Sequence, residues 1–356
     1  MNSRLLKVIN HMPSDFEALI ISNKDNRFYV LNFDTHDAGV VVATKNEAYF
    51  IIDGRYIEIV GKKVKDINIV LQDNKIEQIK EILNKHNVKK VHIENLISMV
   101  EYDVLKNNLN CEIIANNELV NAMQASRVQK EDVELEIMYK AQEITDKAFE
   151  YMLTKLEVGK TEREMQLELD YFMLKNGADA LAFDTILISG ANTSLPHGVP
   201  TNKKIQEGDF VTMDFGAKVG GYCADMTRTV AMGYATDEMK KVYEIVLKAQ
   251  IEGVKAVKQD ANCKMVDKVC RDIISEAGYG DYFIHNTGHS VGIEIHEEPR
   301  FSPISKDELL ENSAVTIEPG IYLPNKFGVR IEDCVIVNKN GCYVHGKTDK
   351  NLIIIK

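Results

Sequence analysis

Three acidic residues lie inside short apolar segments that otherwise have the composition of buried β-strands. Asp214, Glu318 and Glu332 occupy Phe-Val-Thr-Met-Asp-Phe-Gly, Ala-Val-Thr-Ile-Glu-Pro-Gly and Val-Arg-Ile-Glu-Asp-Cys-Val-Ile. Ionised carboxylates are rarely buried unless they pair with a cation or bind a metal. Each acid taken alone could face solvent on a one-sided strand. Their recurrence in the same kind of segment favours a buried site that requires acidic groups.

Two of these segments are related by an internal repeat, and each copy has a second acid downstream. Val-Thr-Met-Asp-Phe-Gly around Asp214 matches Val-Thr-Ile-Glu-Pro-Gly around Glu318, and the downstream acids are Asp225 and Glu332. Two carboxylates 4 Å apart repel by about 4 kcal/mol at an effective dielectric constant of 20. Four converging carboxylates therefore require cations or raised pKa values. Two divalent ions would balance their charge.

Four of the nine histidines lie in loops around the acid-bearing segments. A lone histidine is more often structural or merely exposed than functional, but this concentration favours a shared site. Glycines near His289 allow a close approach of the backbone. Oxygen-rich ligands with one imidazole favour manganese ahead of zinc. The four are His197, His285, His289 and His296.

The chain is predicted to form two α/β domains. Residues 1–124 alternate β-branched or aromatic segments with helical ones, whereas residues 125–356 begin with two amphipathic helices and continue into the acid-bearing repeat. The predicted strands of the first domain are 18–21, 28–31, 39–43, 49–52, 67–71, 91–93 and 111–114, with helices at 75–85 and 97–107. In the second domain, Thr161-Glu-Arg-Glu164 is a capping box that begins a helix. Further helices are predicted at 237–256 and 263–277.

Charge and hydropathy restrict the classes of partner. The formal net charge of −11 argues against nucleic acid, which requires a basic surface. No apolar stretch approaches the 18 or more residues of a membrane span, and the N-terminus has no apolar signal-peptide core. The six cysteines form no C-x-x-C pair, which favours reduced thiols. We therefore expect a cytoplasmic protein that binds neither nucleic acid nor membrane.

The motifs of the second domain closely resemble those of the pita-bread metallopeptidases. The most similar branch comprises the Xaa-Pro aminopeptidases and Xaa-Pro dipeptidases (prolidases), and residues 1–124 resemble its creatinase-type N-terminal domain, including Asp53-Gly-Arg-Tyr56. The other matching motifs are Met213-Asp-Phe-Gly-Ala, Gly221-Tyr-Cys-Ala-Asp-Met-Thr-Arg-Thr229, His285-Asn-Thr-Gly-His-Ser-Val-Gly292, His296-Glu-Glu-Pro299, Thr316-Ile-Glu-Pro-Gly320 and Val329-Arg-Ile-Glu-Asp333. The fold implied is an N-terminal α/β domain followed by a pita-bread domain with a pseudo-two-fold duplication.

The resemblance also implies a set of metal ligands and a reaction. Asp214 would bind one metal, Asp225 and Glu332 would bridge both, and His289 and Glu318 would complete the other. A hydroxide shared by the two metals would attack the carbonyl of the Xaa-Pro bond. The metal would be manganese, with cobalt, zinc or iron as alternatives.

The same resemblance assigns substrate contacts. Glu318 would move a proton to the leaving nitrogen, His197 and His296 would stabilise the substrate or the tetrahedral intermediate, and Arg330 would position the substrate. His285 would also contact the substrate, a peptide with proline at its second position. A homodimer is implied, and the role of Arg55 is left open between the subunit contact and the site.

Several alternatives remain open at this stage. Dipeptidase and aminopeptidase activities are not distinguished, and methionine aminopeptidases share the five ligands but usually lack the N-terminal domain. The G-x-S-x-G pattern around Ser290 matches the nucleophile elbow of serine hydrolases, although an elbow requires a following helix. Its partners would be Asp307 or Asp333, with His345. A non-catalytic peptide-binding protein on the same scaffold is the remaining alternative, because fold does not fix function.

Overall fold

A six-stranded mixed sheet forms the centre of the N-terminal part of the chain. The computed structural model describes residues 1–356, which divide into two compact units, Met1–Arg127 and Val128–Lys356. In the first unit the strand order is β4-β3-β2-β1-β5-β6. Its strands are β1 Ala18–Ile21, β2 Val40–Thr44, β3 Ala48–Ile52, β4 Asn68–Leu71, β5 Lys90–Ile93 and β6 Glu112–Ile114. Its helices are α1 Ser3–His11, α2 Lys24–Leu31, α3 Ile57–Lys63, α4 Lys75–Lys85, α5 Met99–Asn108 and α6 Glu118–Val128.

One predicted strand of this unit is wrong. Residues 28–31 form the last turn of α2, not a strand. The side chain of Asn23 accepts hydrogen bonds from the backbone N–H groups of Asp25 and Asn26 and so begins the helix, and Asn32 ends it with a left-handed φ of 50°. A four-residue apolar run cannot be assigned to helix or strand from its periodicity. The other six strands and the helices at 75–85 and 97–107 are confirmed within two residues.

The second unit begins with the two predicted amphipathic helices. They are α7 Asp132–Leu153 and α8 Glu162–Lys175, and the capping box of Thr161 and Glu164 is present. Four sheets follow, with strand orders β11-β10-β7, β20-β12-β9-β8, β14-β13-β15-β18-β19 and β16-β17. The strands are β7 Ala180–Leu181, β8 Ile186–Ser189, β9 Phe210–Phe215, β10 Ala217–Val219, β11 Tyr222–Cys223, β12 Met226–Met232, β13 Gly288–Ser290, β14 Glu297–Phe301, β15 Ala314–Ile317, β16 Gly320–Leu323, β17 Phe327–Arg330, β18 Asp333–Asn338, β19 Gly341–Val344 and β20 Ile354–Ile355.

The predicted repeat corresponds to two antiparallel strand pairs. In the first pair, β9 and β12 place Asp214 opposite Thr227. In the second pair, β15 and β18 place Ile317 opposite Asp333, so that Glu318 and Glu332 lie just beyond the paired residues. The helices α9 Asp237–Ala256 and α10 Cys263–Glu276 lie between the two pairs in the chain, as predicted. Two apolar cores hold these strand ends in place. One packs β9 against α7 and α8, and the other packs β15 and β18 against α9 and α10.

No helix of the second or the first unit is long and apolar enough to cross a membrane. The α/β architecture expected from the sequence is confirmed in both units, as are the two helices that precede the repeated strand pairs of the second unit.

Candidate metal centre

Three of the five predicted ligands form a tight, buried group. One ligand atom each from Asp225, His289 and Glu332 lies within 4.8 Å of the other two. Asp225 immediately precedes β12, His289 lies in β13, and Glu332 immediately precedes β18, so three separate strands contribute to the group. All three residues are buried. Two carboxylates and one imidazole at this spacing are a donor set that suits a divalent cation.

The other two predicted ligands line the same cavity. The cavity has a volume of about 240 Å³, and both Asp214 and Glu318 contribute to its wall. The Nε2 atom of His289 lies 3.3 Å from Oε1 of Glu318 and 3.7 Å from Oδ2 of Asp225. Asp214 also forms an ion pair with an arginine: its Oδ2 accepts a hydrogen bond of 2.5 Å from Arg330.

Burial and mutual repulsion act strongly on the carboxylates. Burial, and then the charges of neighbouring carboxylates, raise the pKa values of Asp225 and Glu332 well above their usual range. Burial also raises the pKa of Asp214, against the opposing effect of Arg330. For Glu318, burial acts in the same direction, but the hydrogen bond and charge of His289 hold its pKa at about 2. Without added cations, full ionisation of this group is therefore unfavourable.

Two buried carboxylate oxygens in the cavity have no hydrogen-bond partner. They are Oδ1 of Asp214 and Oε1 of Glu332. The other oxygen of Glu332 accepts a hydrogen bond of 2.6 Å from the hydroxyl of Thr227. Buried polar atoms are almost always satisfied in folded proteins. Unpaired acceptor atoms that face an acid-rich cavity are compatible with a binding site for divalent metal ions. The five residues together supply enough ligands for two ions.

Tyr322 connects the predicted substrate residues, although the sequence did not indicate it. Its hydroxyl lies 2.8 Å from Nε2 of His285 and accepts a hydrogen bond of 2.8 Å from Arg330. Arg330 also donates to the carbonyl of Pro196, at 3.2 Å. Burial raises the pKa of Tyr322 to about 12, so the phenol stays protonated. Tyr322 lies in β16, and because tyrosine is common in β-strands, its presence there gave no sign of a functional role.

All four predicted histidines line the cavity. The His296 ring is 4.4 Å from the His289 ring, measured between centroids, and is roughly perpendicular to it. Burial lowers the pKa of His285, and burial together with the nearby His289 lowers the pKa of His296. Both rings are therefore neutral at pH 7. His197 is exposed on the segment that follows β8.

The cavity wall contains further residues that the sequence interpretation missed. Apolar side chains of Phe183, Ile186 and Ile295 contribute to it, as does Arg300. Arg300 is half-exposed, and its Nε lies 3.3 Å from Oε1 of Glu298. These residues come from separate segments that only the fold brings together. Arg300 had one available signal, because it directly follows the His-Glu-Glu-Pro motif.

The geometry contradicts the serine-hydrolase alternative. Ser290 is buried, its hydroxyl has no hydrogen-bond partner, and the next regular element after β13 is the strand β14, not a helix. Asp333 is paired with Arg228 and Lys350, and the His345 ring packs near Tyr139. No nucleophile, base and acid therefore converge around Ser290.

Arg55 lies in the N-terminal unit, on the turn between β3 and α3. Its guanidinium is exposed and forms an ion pair of 2.7 Å with Asp53. This pair accounts for the local structure of the Asp-Gly-Arg-Tyr motif, and a role for Arg55 elsewhere stays a prediction.

A duplicated α/β fold that carries an acid-rich cavity with one buried imidazole defines the class of metal-dependent hydrolases with a pita-bread domain. Comparison with known proteins gives the family. Residues 136–339 match the model of metallopeptidase family M24, and residues 4–126 match that of the creatinase/prolidase N-terminal domain. The chain belongs to metallopeptidase family M24, as the sequence motifs indicated. The predicted fold, a creatinase-type N-terminal α/β domain followed by a pita-bread domain, is thereby confirmed.

Relatives in this family match the chain over nearly its whole length. An Xaa-Pro dipeptidase from Pyrococcus furiosus is 37% identical over 99% of this chain and 100% of its own length. Among solved structures, an Xaa-Pro dipeptidase from Bacillus anthracis is 40% identical, with a TM-score of 0.94 over 99% of this chain and 100% of that one. An X-Pro aminopeptidase from Thermotoga maritima MSB8 is 33% identical, with a TM-score of 0.89 over 96% of this chain and 98% of that one.

Proposed function

We propose that this protein is a metal-dependent Xaa-Pro dipeptidase, which hydrolyses the bond between a first residue and a C-terminal proline. The observation that carries the proposal is that five potential ligands, three further histidines, several apolar side chains and two arginines all line one cavity. Similarity to Xaa-Pro dipeptidases over the full chain supports the same substrate class.

Five residues would hold two divalent ions, for which manganese is favoured by the oxygen-rich donor set. Bound divalent ions lower the pKa of water and polarise a carbonyl group, which is the chemistry that peptide hydrolysis needs. Two bound ions would also cancel the charge of the four carboxylates. The five are Asp214, Asp225, His289, Glu318 and Glu332.

The remaining polar groups of the cavity would act on the substrate. His296 and His197, which both line the cavity, would donate N–H hydrogen bonds to the scissile carbonyl, where negative charge develops during attack. The neutral state of His296 at pH 7 leaves it one N–H for this purpose. Glu318 would accept a proton from the attacking water and pass it to the proline nitrogen, which must be protonated before it leaves. Arg330, fixed by Asp214 and Tyr322, would position the peptide.

The apolar wall supports the preference for proline. An Xaa-Pro bond is a tertiary amide that has no N–H, and its ring is rigid and apolar. The site therefore needs an apolar surface for the ring and no acceptor directed at the missing N–H. Phe183, Ile186 and Ile295 supply such a surface in the same cavity as the ligands.

Arg300 favours a dipeptidase over an aminopeptidase. A dipeptide ends in a carboxylate next to the proline ring, and a guanidinium recognises a carboxylate with paired hydrogen bonds. Arg300 lines the cavity, and its neighbour Glu298 is partly exposed and could release it. A longer peptide has a neutral amide at that position.

Relative turnover of an Xaa-Pro dipeptide and the matching Xaa-Pro-Yaa tripeptide tests the proposal. We expect the dipeptide to have the higher kcat/KM, and Arg300→Met to reduce that preference about tenfold or more by weakening dipeptide binding. Arg163→Met, on the outer helix α8, is the matched control. Equal cleavage of both substrates would instead identify an aminopeptidase, and hydrolysis of neither with metal bound would favour a peptide-binding protein.

Two further properties belong to the same proposal. All six cysteines are free, four of them buried, which suits the reducing cytoplasm.

A homodimer is supported by the exposed apolar residues Leu96, Met99 and Val100 at the start of α5, since a contiguous apolar patch is typical of a subunit contact. Sedimentation of the intact protein tests the assembly, and a monomer at micromolar concentration would contradict it.

A further inference from the structure

The segment that presents His197 to the cavity has little regular structure of its own. It leaves β8 at Ser189, forms a short 3-10 turn over Gly190–Ser194, and continues to Thr201 without helix or strand. Such a segment would be mobile unless its ends were held by other parts of the fold. We refer to residues 189–201 as the His197 loop.

One buried carboxylate contacts both ends of the His197 loop. Oε1 of Glu162 accepts hydrogen bonds from the backbone N–H of Ser189, at 2.7 Å, and from its hydroxyl, at 3.0 Å. Oε2 accepts from the N–H of Thr201, at 3.0 Å, and from its hydroxyl, at 2.7 Å. The amide of Asn192 donates to both oxygens, at 3.0 and 3.2 Å. Glu162 itself is fully buried.

The backbone around Glu162 reinforces this attachment. The N–H of Glu162 donates to the carbonyl of Lys203, and the N–H of Arg163 donates to the carbonyl of Thr201, both at 3.0 Å. Glu162 lies in the first turn of α8, where the helix dipole stabilises a negative charge. The tip of the loop has a separate contact, in which Arg330 donates to the carbonyl of Pro196. Both ends and the tip are thus fixed to rigid elements.

We propose that Glu162 is a positioning residue, which acts on the reaction by holding the His197 loop so that His197 faces the substrate. This inference rests on the proposed function, because it takes His197 to contact the reacting peptide. Glu162 is not on the cavity wall, and the partners of its carboxylate are Ser189, Asn192 and Thr201, not the predicted metal ligands. Its effect on catalysis is therefore transmitted through His197.

Glu162→Gln is the direct test, since glutamine has nearly the same shape but only one acceptor oxygen. It can satisfy the donors of Ser189 or those of Thr201 but not both, so one end of the loop is released. We expect kcat to fall about tenfold or more, because small displacements of catalytic groups have large effects on rate. Metal content and KM should change little. Hydrogen exchange of residues 189–201 should become faster.

Glu164→Gln is the matched control. Glu164 lies two residues further along the same helical turn, but its exposed carboxylate contacts only Thr161 in the capping box. This variant should weaken the helix cap while leaving kcat within about twofold of the wild type and the loop exchange unchanged. An equal loss of kcat in the two variants would show a general effect of α8 and would overturn the proposal.

A double-mutant cycle with His197→Ala separates positioning from loss of stability. If Glu162 acts through His197, adding Glu162→Gln to His197→Ala should lower kcat by less than about twofold. The same tenfold loss in both backgrounds would contradict the proposal. If Glu162→Gln does not fold, Thr201→Val removes one donor at the exposed end of the loop and should give a smaller change of the same kind.

The hydrogen-exchange measurement keeps this inference distinct from the proposed function. If the metal-loaded wild type hydrolyses no Xaa-Pro peptide, the proposed function fails. Faster exchange of residues 189–201 in Glu162→Gln but not in Glu164→Gln would still support the structural part of the proposal. Unchanged exchange in Glu162→Gln would overturn that part whatever the activity.

Discussion

Lys130 and Glu297 form an ion pair of 3.1 Å from which solvent is almost excluded, with 1% and 6% of the two side chains exposed. Lys130 lies just before α7, and Glu297 is the first residue of β14, directly after His296. The second carboxylate oxygen of Glu297 accepts a hydrogen bond from the backbone N–H of Glu294. The pair therefore fixes the segment that carries His296 to the base of the long helix α7.

Replacement of Lys130 by methionine should strongly destabilise the protein. The carboxylate of Glu297 would stay buried after losing its cationic partner, and breaking a buried ion pair in this way costs about 3–5 kcal/mol. Chemical denaturation measures the change, and the double variant Lys130→Met with Glu297→Gln should recover part of it. The exposed pair of Lys268 and Asp272 is the control, where Lys268→Met should cost less than about 1 kcal/mol. Similar losses at both pairs would contradict the interpretation.

Asp225→Asn should abolish most metal binding and activity. The change removes one negative charge from the tight group formed with His289 and Glu332, and an amide is a weaker ligand than a carboxylate. We expect metal content to fall and kcat/KM to drop by more than about 100-fold. Elemental analysis and peptide hydrolysis measure the two effects, with the exposed Asp237→Asn as control. Near-normal turnover would show that Asp225 is not a ligand.

Metal binding should stabilise the folded protein. The buried carboxylates repel one another in its absence, and an ion that binds only the folded state adds about 2.7 kcal/mol per site at a free concentration 100-fold above Kd. The melting temperature in excess manganese should therefore exceed that of the chelated protein at the same pH. The Asp225→Asn variant should show a smaller increase. Equal melting temperatures in both forms of the wild type would argue against a metal centre.

His345 should make stability dependent on pH, because burial lowers its pKa from 6.5 to about 4. The unfolded chain then binds the proton more readily than the folded one, so stability is full above pH 6.5 and is lost as the pH falls toward 4. The loss approaches about 3 kcal/mol by linkage. The rings of Tyr139 and Tyr343 lie beside His345.

The comparison with His345→Gln isolates this contribution from that of the buried acids. In chelated protein, the difference in unfolding free energy between wild type and variant should shrink as the pH is lowered from 7 to 4. Lys347→Met is a control, since it removes a nearby exposed charge without removing the imidazole. A difference that stays constant across this range would mean that His345 does not titrate on unfolding.

The metal centre was largely predictable because its residues violate the local pattern of the sequence. An acid such as Asp214 or Glu318 in an apolar strand is conspicuous, and the repeat around the two acids indicated that they converge. The structure places all five predicted ligands on one cavity, although their binding of metal remains a proposal. The capping box of α8 was also predictable, since it depends on residues three positions apart.

Other features were not predictable because they depend on contacts between distant segments. Tyr322 and Arg300 acquire their positions only when β16 and β14 fold around the cavity. Glu162 was assigned to a helix cap motif, and nothing in the sequence indicated that its carboxylate would contact both ends of the His197 loop. The error at residues 28–31 has a different origin, because a short apolar segment carries too little periodicity to distinguish strand from helix.

Hydrolysis of an Xaa-Pro dipeptide before and after thorough chelation, with manganese added back, tests the central claim most directly. We predict that the metal-loaded protein cleaves the dipeptide, that chelation abolishes cleavage, and that manganese restores it. Activity that survives complete removal of metal, as confirmed by elemental analysis, would contradict a reaction that depends on the metal centre.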